Sequence, residues 1–342
     1  MKNFIVIIIL GVALTIFNGC QKEELTFNVP DEELQEIISP EVFVENDYLA
    51  FKNMEAVDSV VSLLSLMSEN EKEVWETQMG VKSARAKFQE LYGLYDKLSS
   101  EQELLSFKKE YEKDLKFEGN NPFEWSVDYP YATKYFLPVL NKDGIYKVGN
   151  SIIKYTTDDQ IIILDGDIEK LNNLDKFIDN ENVVYLSSKL KSNGDTRLYL
   201  DDFEDDNLDP NRYDMWSYSA SGTRRLRNQL IWDTYYYNEG VNIYSGWKLL
   251  FHQKGEKKVL GIWKQYKTVY GTQDIYVQVG NFPSYWINQY VAVYTPEVYY
   301  STIECAADHQ IGTTSLFYYR PNVVFSSKTY SQGLGVWYTV DH

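Results

Sequence analysis

The 342-residue sequence predicts an α+β fold in three parts: a small N-terminal helical bundle, a central β-hairpin and helix unit, and a C-terminal antiparallel β-sandwich. Three observations carry this. Apolar residues recur at three- and four-residue steps across 54–117. Short apolar runs separated by turn residues begin near 144. Aromatics make up 15% of the chain, with 18 of the 29 Tyr and 6 of the 8 Trp in residues 211–342, and Tyr beside β-branched residues favours strands. The length fits two domains or three.

The first residues read as an export signal. Met1-Lys2-Asn3 is a short basic start, and Phe4–Phe17 is an uncharged run of fourteen residues. That suits a signal-peptide core and falls short of the roughly 20 residues that cross a bilayer. Asn18-Gly19-Cys20 follows, so residues 1–19 are expected to be cleaved and Cys20 to become the acylated N-terminus. The segment resembles a bacterial lipobox, departing from it at Phe17 and Asn18, a looseness that lipoproteins of the Bacteroidota share. Gln21-Lys22-Glu23-Glu24 resembles the short signal that sends such lipoproteins to the outer face of the outer membrane. The resemblance implies membrane lipid as a partner through several acyl chains, which anchor stably where one is marginal. Residues 20–40 are polar, acidic and broken by Pro30 and Pro40, as a tether would be.

A first folded domain is expected over 41–200. Met54, Val57, Val60, Val61, Leu64 and Met67 form one helical face. Ser68 with Glu71 makes a capping box before Val74-Trp75, and Gly80 stands where a helix C-terminal cap belongs. Ser83 opens the next helix, carrying Ala86, Leu91, Leu94, Tyr95 and Leu98. Ser100 with Glu103 opens another through Leu104, Phe107, Tyr111 and Leu115. Gly149-Asn150 between 144–148 and 151–155 is a two-residue hairpin signal, Gln160–Leu164 reads as a third strand, and Asp167 caps a helix over 168–178. Val183–Leu186 returns as a strand. The acidic stretch 201–214, with Pro210, is the expected linker. From 215 to 342 the chain reads as an aromatic-rich sandwich. Strands are expected at 241–250, 259–266, 290–294, 298–304, 315–320, 323–327 and 334–340, with alternation at Ile275, Val277 and Val279 and a turn at 253–257.

Val44-Glu-Asn-Asp-Tyr-Leu-Ala-Phe-Lys-Asn-Met-Glu-Ala56, the helix end Leu66-Met-Ser-Glu-Asn-Glu-Lys72, Asp143-Gly-Ile-Tyr-Lys-Val-Gly-Asn-Ser151 and Asp165-Gly-Asp-Ile-Glu-Lys170 resemble a group of uncharacterised Bacteroidota lipoproteins, a domain of unknown function. The resemblance covers residues 41–180. It implies a shared address and architecture and transfers no site.

The net charge of −17 is uneven: residues 1–210 hold 41 acidic and 21 basic side chains, and 211–342 hold 9 and 12. An acidic front half repels phosphate backbones and disfavours nucleic acid as a partner. Asp205, Asn207, Asp209 and Asn211 alternate like the start of a calcium loop. Pro210 and Trp216, however, stand where that loop needs Gly and a bidentate Glu, so an acidic linker fits better. Asp165 and Asp167 are accounted for as turn and cap. No metal and no cofactor is expected. With Cys20 acylated, Cys305 has no disulfide partner, and a buried apolar thiol is the simpler reading. Cys305 with His309 is the alternative, a thiol hydrolase, because a thiolate nucleophile needs an imidazole in reach. The aromatic strands are the other lead. Neighbouring residues on a strand face opposite sides, so Tyr236, Trp247, Trp263, Tyr300 and Tyr319 are candidates for outward rings that stack on a glycan or anchor a protein. The expectation is a non-catalytic, surface-exposed lipoprotein that binds; a purely structural envelope component is a further alternative.

Overall fold

The computed structural model describes residues 42–157, 159–177, 180–187, 198–199, 214–281, 285–286, 293–311, 322–331 and 336–341. The expected leader, Cys20, the tether, the acidic stretch up to residue 213 and the strand at 315–320 lie outside them.

Two short strands, β1 (Val42–Glu45) and β2 (Tyr48–Phe51), form an antiparallel hairpin. Four helices follow: α1 (Met54–Leu66), α2 (Glu69–Met79), α3 (Ala84–Tyr95) and α4 (Glu101–Tyr111). Their starts are fixed by the expected caps. Ser68 and Ser100 each complete a capping box with Glu71 and Glu103, Ser83 accepts from the Ala86 N–H, and Gly80 ends α2 in the left-handed region at φ 70°, where a Cβ would be strained. The expected bundle takes a different form. Helices α1 and α3 pack chiefly on a 3-10 turn at Leu137–Val139, and α4 on another at Pro122–Glu124. The helices also meet one another, through Arg85 of α3 on Glu69 and Glu76 of α2 and through Tyr95 of α3 against Phe107 of α4, ring centres 5.6 Å apart.

That segment also carries β3 (Lys116–Glu118) and β4 (Ser126–Asp128), which pair with each other. The hairpin turns at Gly149-Asn150 as expected, between β5 (Ile145–Val148) and β6 (Ser151–Tyr155). β7 (Asp159–Ile163), α5 (Ile168–Asn172), β8 (Val183–Ser187) and β9 (Leu198–Tyr199) complete a sheet of order β1-β2-β5-β6-β7-β8-β9. Asp167 caps α5, accepting from the Glu169 N–H at 3.1 Å, although the helix stops at Asn172 and yields to a 3-10 turn. Tyr48, Ile152, Ile161, Ile163, Leu171 and Val183 form the core on one side of this sheet.

The remaining strands are long and antiparallel. β10 (Asp214–Tyr218), β11 (Arg224–Glu239), β12 (Asn242–Val259) and β13 (Ile262–Gln265) make one sheet, which β17 (Tyr300–Ile311) joins along β12. A second sheet contains β14 (Thr268–Asn281), β15 (Tyr285–Trp286), β16 (Val293–Val298), β18 (Asn322–Ser331) and β19 (Val336–Asp341). The turn expected at 253–257 is instead the interior of β12. Lys254 and Glu256 are buried there as ion-pair partners, and the chain reverses at Leu260-Gly261, both at positive φ, as a tight hairpin requires.

Residues from Pro40 onward cluster as one compact unit. A polar seam joins the stretch before the expected linker at 201–214 to the stretch after it. Ser126 donates to Glu256 at 2.7 Å, Thr133 to Asp233, and Trp263 Nε1 to Glu124 at 2.6 Å. Lys264 Nζ donates to the carbonyls of Tyr95 and Asp96 at the end of α3, both at 2.8 Å. The Gly149-Asn150 tip hooks the end of β11: the Asn150 N–H donates to the Asn238 carbonyl and the Asn238 N–H to Ser151 Oγ, both at 2.8 Å. The buried groups among these, Ser126, Thr133, Asp233, Glu256, Trp263 and Lys264, need partners, and here each half supplies the other's.

Candidate functional site

A cleft of about 380 Å³ opens between α1, the end of the Thr133–Pro138 segment and strands β16 and β17. Helical spacing puts Asp58, Ser62 and Ser65 on one flank of α1, beside the buried stripe Val57, Val61 and Leu64; residues four apart share a helix face. β17 supplies Tyr300 to Glu304 as the opposite wall.

Three charged groups meet at the mouth. Lys248, on β12, reaches Glu304 Oε2 at 2.7 Å and Asp58 at 3.1 Å. Its side chain is 3% exposed and each carboxylate 37%. The ammonium also lies 4.6 Å from the Tyr135 ring centre, and the Tyr135 hydroxyl donates to Asp58 Oδ1 at 2.7 Å. Burial, then the Asp58 and Glu304 charges, pushes that hydroxyl far above its ordinary range, which keeps it a donor. The ammonium sits between the two carboxylates, where a hydrolytic pair would hold water or the substrate's oxygen. The arrangement is built to present charge in a fixed place.

The floor is a closed network. Arg85 donates through Nε and Nη2 to both oxygens of Glu76, at 2.8 and 2.6 Å, and through Nη1 to Glu69 at 3.0 Å. Ser83 donates to Glu76 at 2.5 Å, and Lys72 pairs with Glu69 at 3.3 Å. Burial pulls the Lys72 ammonium down against the lift from Glu69. Deeper, Lys134 pairs with Asp128 at 3.1 Å. Burial works against the Asp128 charge, but Lys134 and Lys254 overcome it and hold the carboxyl well below the usual range. His252 is pushed down to about 3, first by burial and then by Lys134, so it is neutral, with Nδ1 2.8 Å from Thr302 Oγ1. Under the segment that brings in Lys134 and Tyr135, burial pushes the Asp233 carboxyl up to about 6 despite the Thr133 hydroxyl.

Of the aromatic candidates, Tyr236, Trp247 and Trp263 are 4%, 1% and 2% exposed. They offer no ring face to a glycan or a partner. The expectation of one outward ring per Tyr pair fails at Tyr235–Tyr237, where all three are buried, because β11 is covered by β5 and β6 as well as by its own sheet. Tyr300 lines the cleft with its ring edge-on to Tyr129, centres 5.6 Å apart. Tyr319 lies outside the described residues. Cys305 is fully buried and its thiol is pushed up to about 12, chiefly by burial. His309 is four residues further along the same strand. Asp165 and Asp167 serve the turn and the cap, with Lys170 paired to Asp165. Among the described residues no group of three or more His, Cys, Asp or Glu side chains is placed to hold a metal ion.

Asp58, Lys248 and Glu304 form no set that the sequence marks. They come from three elements, Asp58 190 residues and Glu304 56 residues from Lys248, so no spacing links them. One signal was present: a lysine inside Trp247-Lys-Leu-Leu-Phe251 must find a partner if that strand is buried.

No family model matches the chain, and no curated protein matches it. Among solved structures it is similar to a DUF4848 family protein from Bacteroides thetaiotaomicron, with 14% identity over 88% of this chain and all of that one, at a TM-score of 0.31.

Proposed function

We propose that this protein is a lipid-anchored, surface-exposed lipoprotein that binds a ligand, without catalysis, in the cleft between α1 and β17. The anchor rests on the leader and Cys20, and glycan or protein remains the ligand class that this address suggests. Within the rear half, the two antiparallel sheets fit a sandwich whose aromatic residues serve its stability. The observation that carries the binding role is the mouth of the cleft: a buried lysine fixes two half-exposed carboxylates at the entrance of a cavity of ligand size. The test is equilibrium binding of the full chain in detergent to panels of glycans, peptides and small organic ions, alongside Ser65→Trp, which fills the cleft from an exposed position. A ligand retained by the wild type and lost by Ser65→Trp is the expected result. Binding by neither protein, or equally by both, overturns it. Mass spectrometry of the mature N-terminus tests the anchor, where a bare Cys20 or an intact leader refutes it. Protease shaving of intact cells tests the surface position.

A further inference from the structure

We infer that the cleft selects an alkylammonium group, a primary amine on an aliphatic stem. This rests on the binding role proposed above and goes on to name the ligand's chemistry.

The charges around the cleft do not cancel at its mouth. On the floor, Glu69 and Glu76 are matched by Arg85 and Lys72, and deeper in, Lys134 pairs with Asp128, which Lys254 also approaches at 3.9 Å. At the entrance, Asp58 and Glu304 share the Lys248 ammonium. Among the described residues one negative charge is left over there, on two carboxylates that remain open to the cavity. An anion entering there meets repulsion, whereas a cation completes an alternating set of two carboxylates and two ammonium groups.

The walls favour a stem over a sugar ring. Val61, Leu64, Leu66, Pro138 and Ile303 give an aliphatic lining. A pyranose is held best by an open aromatic face, and the two rings in the cleft are already engaged. Tyr135 has the Lys248 ammonium 4.6 Å from its centre and stands edge-on to Phe136. Tyr300 packs against Tyr129 and His252. A short methylene chain can lie on the aliphatic wall with its ammonium at the carboxylates, as lysine side chains do on protein surfaces.

The experiment is isothermal titration of the full chain in detergent with five probes: 1,5-diaminopentane, Nα-acetyl-lysine N-methylamide, pentan-1-ol, pentanoate and methyl glucoside. The first two separate a free amine from a lysine side chain in a peptide. Binding of either, at least tenfold tighter than pentan-1-ol and weakened by salt, is expected. Glu304→Gln and Asp58→Asn should each weaken the amine by about tenfold and leave any pentanol binding unchanged. The wild-type preference among probes decides the matter even if a variant fails to fold. Pentanol, pentanoate or glucoside binding as tightly as the amines overturns the inference, as does loss of no affinity in both variants. If the amines do not bind while another ligand enters the cleft and is excluded by Ser65→Trp, the inference falls and the binding role stands. If nothing enters the cleft, both fall.

Discussion

Replacing Arg85 by alanine is the most informative single perturbation of this fold. The guanidinium makes three charge-assisted bonds of 2.6–3.0 Å to Glu76 and Glu69, and both carboxylates are buried with it. Without it, Lys72 still faces Glu69 at 3.3 Å, but Glu76 keeps only the Ser83 hydroxyl. A buried carboxylate stripped of its cation costs about 3–5 kcal/mol. In a domain this large that lowers the unfolding midpoint by roughly 6–15 °C. Lys82 pairs with Glu90 at 2.6 Å on the open surface, where solvent screens the attraction, so Lys82→Ala should leave the midpoint close to wild type and is the matched control. Glu76→Ala added to Arg85→Ala should cost much less than the sum, because the orphaned charge is gone. Denaturant and thermal unfolding followed by far-UV circular dichroism measure the wild type, the three single variants and the double variant. An Arg85→Ala midpoint within 2 °C of wild type, or additive effects in the double variant, refutes the reasoning.

Three further outcomes follow from the same structure. Folded Asp233 keeps its proton up to about pH 6, against an ordinary value of 3.8; its contribution therefore rises as pH falls from 6 towards 3.8, by roughly 3 kcal/mol. His252 is pushed down to about 3 from 6.5 and acts oppositely, its contribution being complete above 6.5 and lost as pH falls. Urea unfolding between pH 4 and 7 should show Asp233→Asn losing stability relative to wild type on acidification and His252→Gln gaining it; parallel profiles for all three proteins would sink both assignments. Gly149 sits at φ 56°, and a Cβ there would lie 2.5 Å from the Asn238 carbonyl oxygen, so Gly149→Ala should cost about 2 kcal/mol or more, whereas an unchanged midpoint would mean the hairpin tip is not hooked as described. Cys305 should resist iodoacetamide at pH 8 until denaturant is added, and labelling of the native protein within minutes would contradict its burial and its raised thiol.

Local rules were legible in the sequence and long-range ones were not. Ser68, Ser83, Ser100, Gly80 and Asp167 mark helix ends because the groups they satisfy lie within four residues, and the Gly149-Asn150 hairpin is equally local. The misreadings concern charge. Lys254-Gly-Glu256 looked like a turn because lysine and glutamate belong on surfaces, and in β12 they are buried, since Arg225 and Asp128 arrive from elsewhere to neutralise them. β11 went unrecognised for the same reason: Arg225, Arg227, Asn228 and Asp233 break its apolar alternation yet are all buried. Alternation predicts one wet face for the Tyr pairs, whereas Tyr235, Tyr236 and Tyr237 are all buried and β5 and β6 pack on β11. The cleft was invisible for want of any sequence spacing between Asp58, Lys248 and Glu304.

The seam between the front and rear halves is held by matched polar partners, and this constrains how the chain can change. An oily interface tolerates a sliding or swapped partner, because one aliphatic side chain replaces another at modest loss. Here a foreign rear half would set Glu124, Asp58 and the end of α3 opposite the wrong groups. Grafting either half onto another protein, or recombining halves from diverged cousins, should therefore give products that misassemble unless the matching residues travel together. Inheritance would treat the two stretches as a single indivisible piece, despite the acidic gap between them that looks like a place to cut.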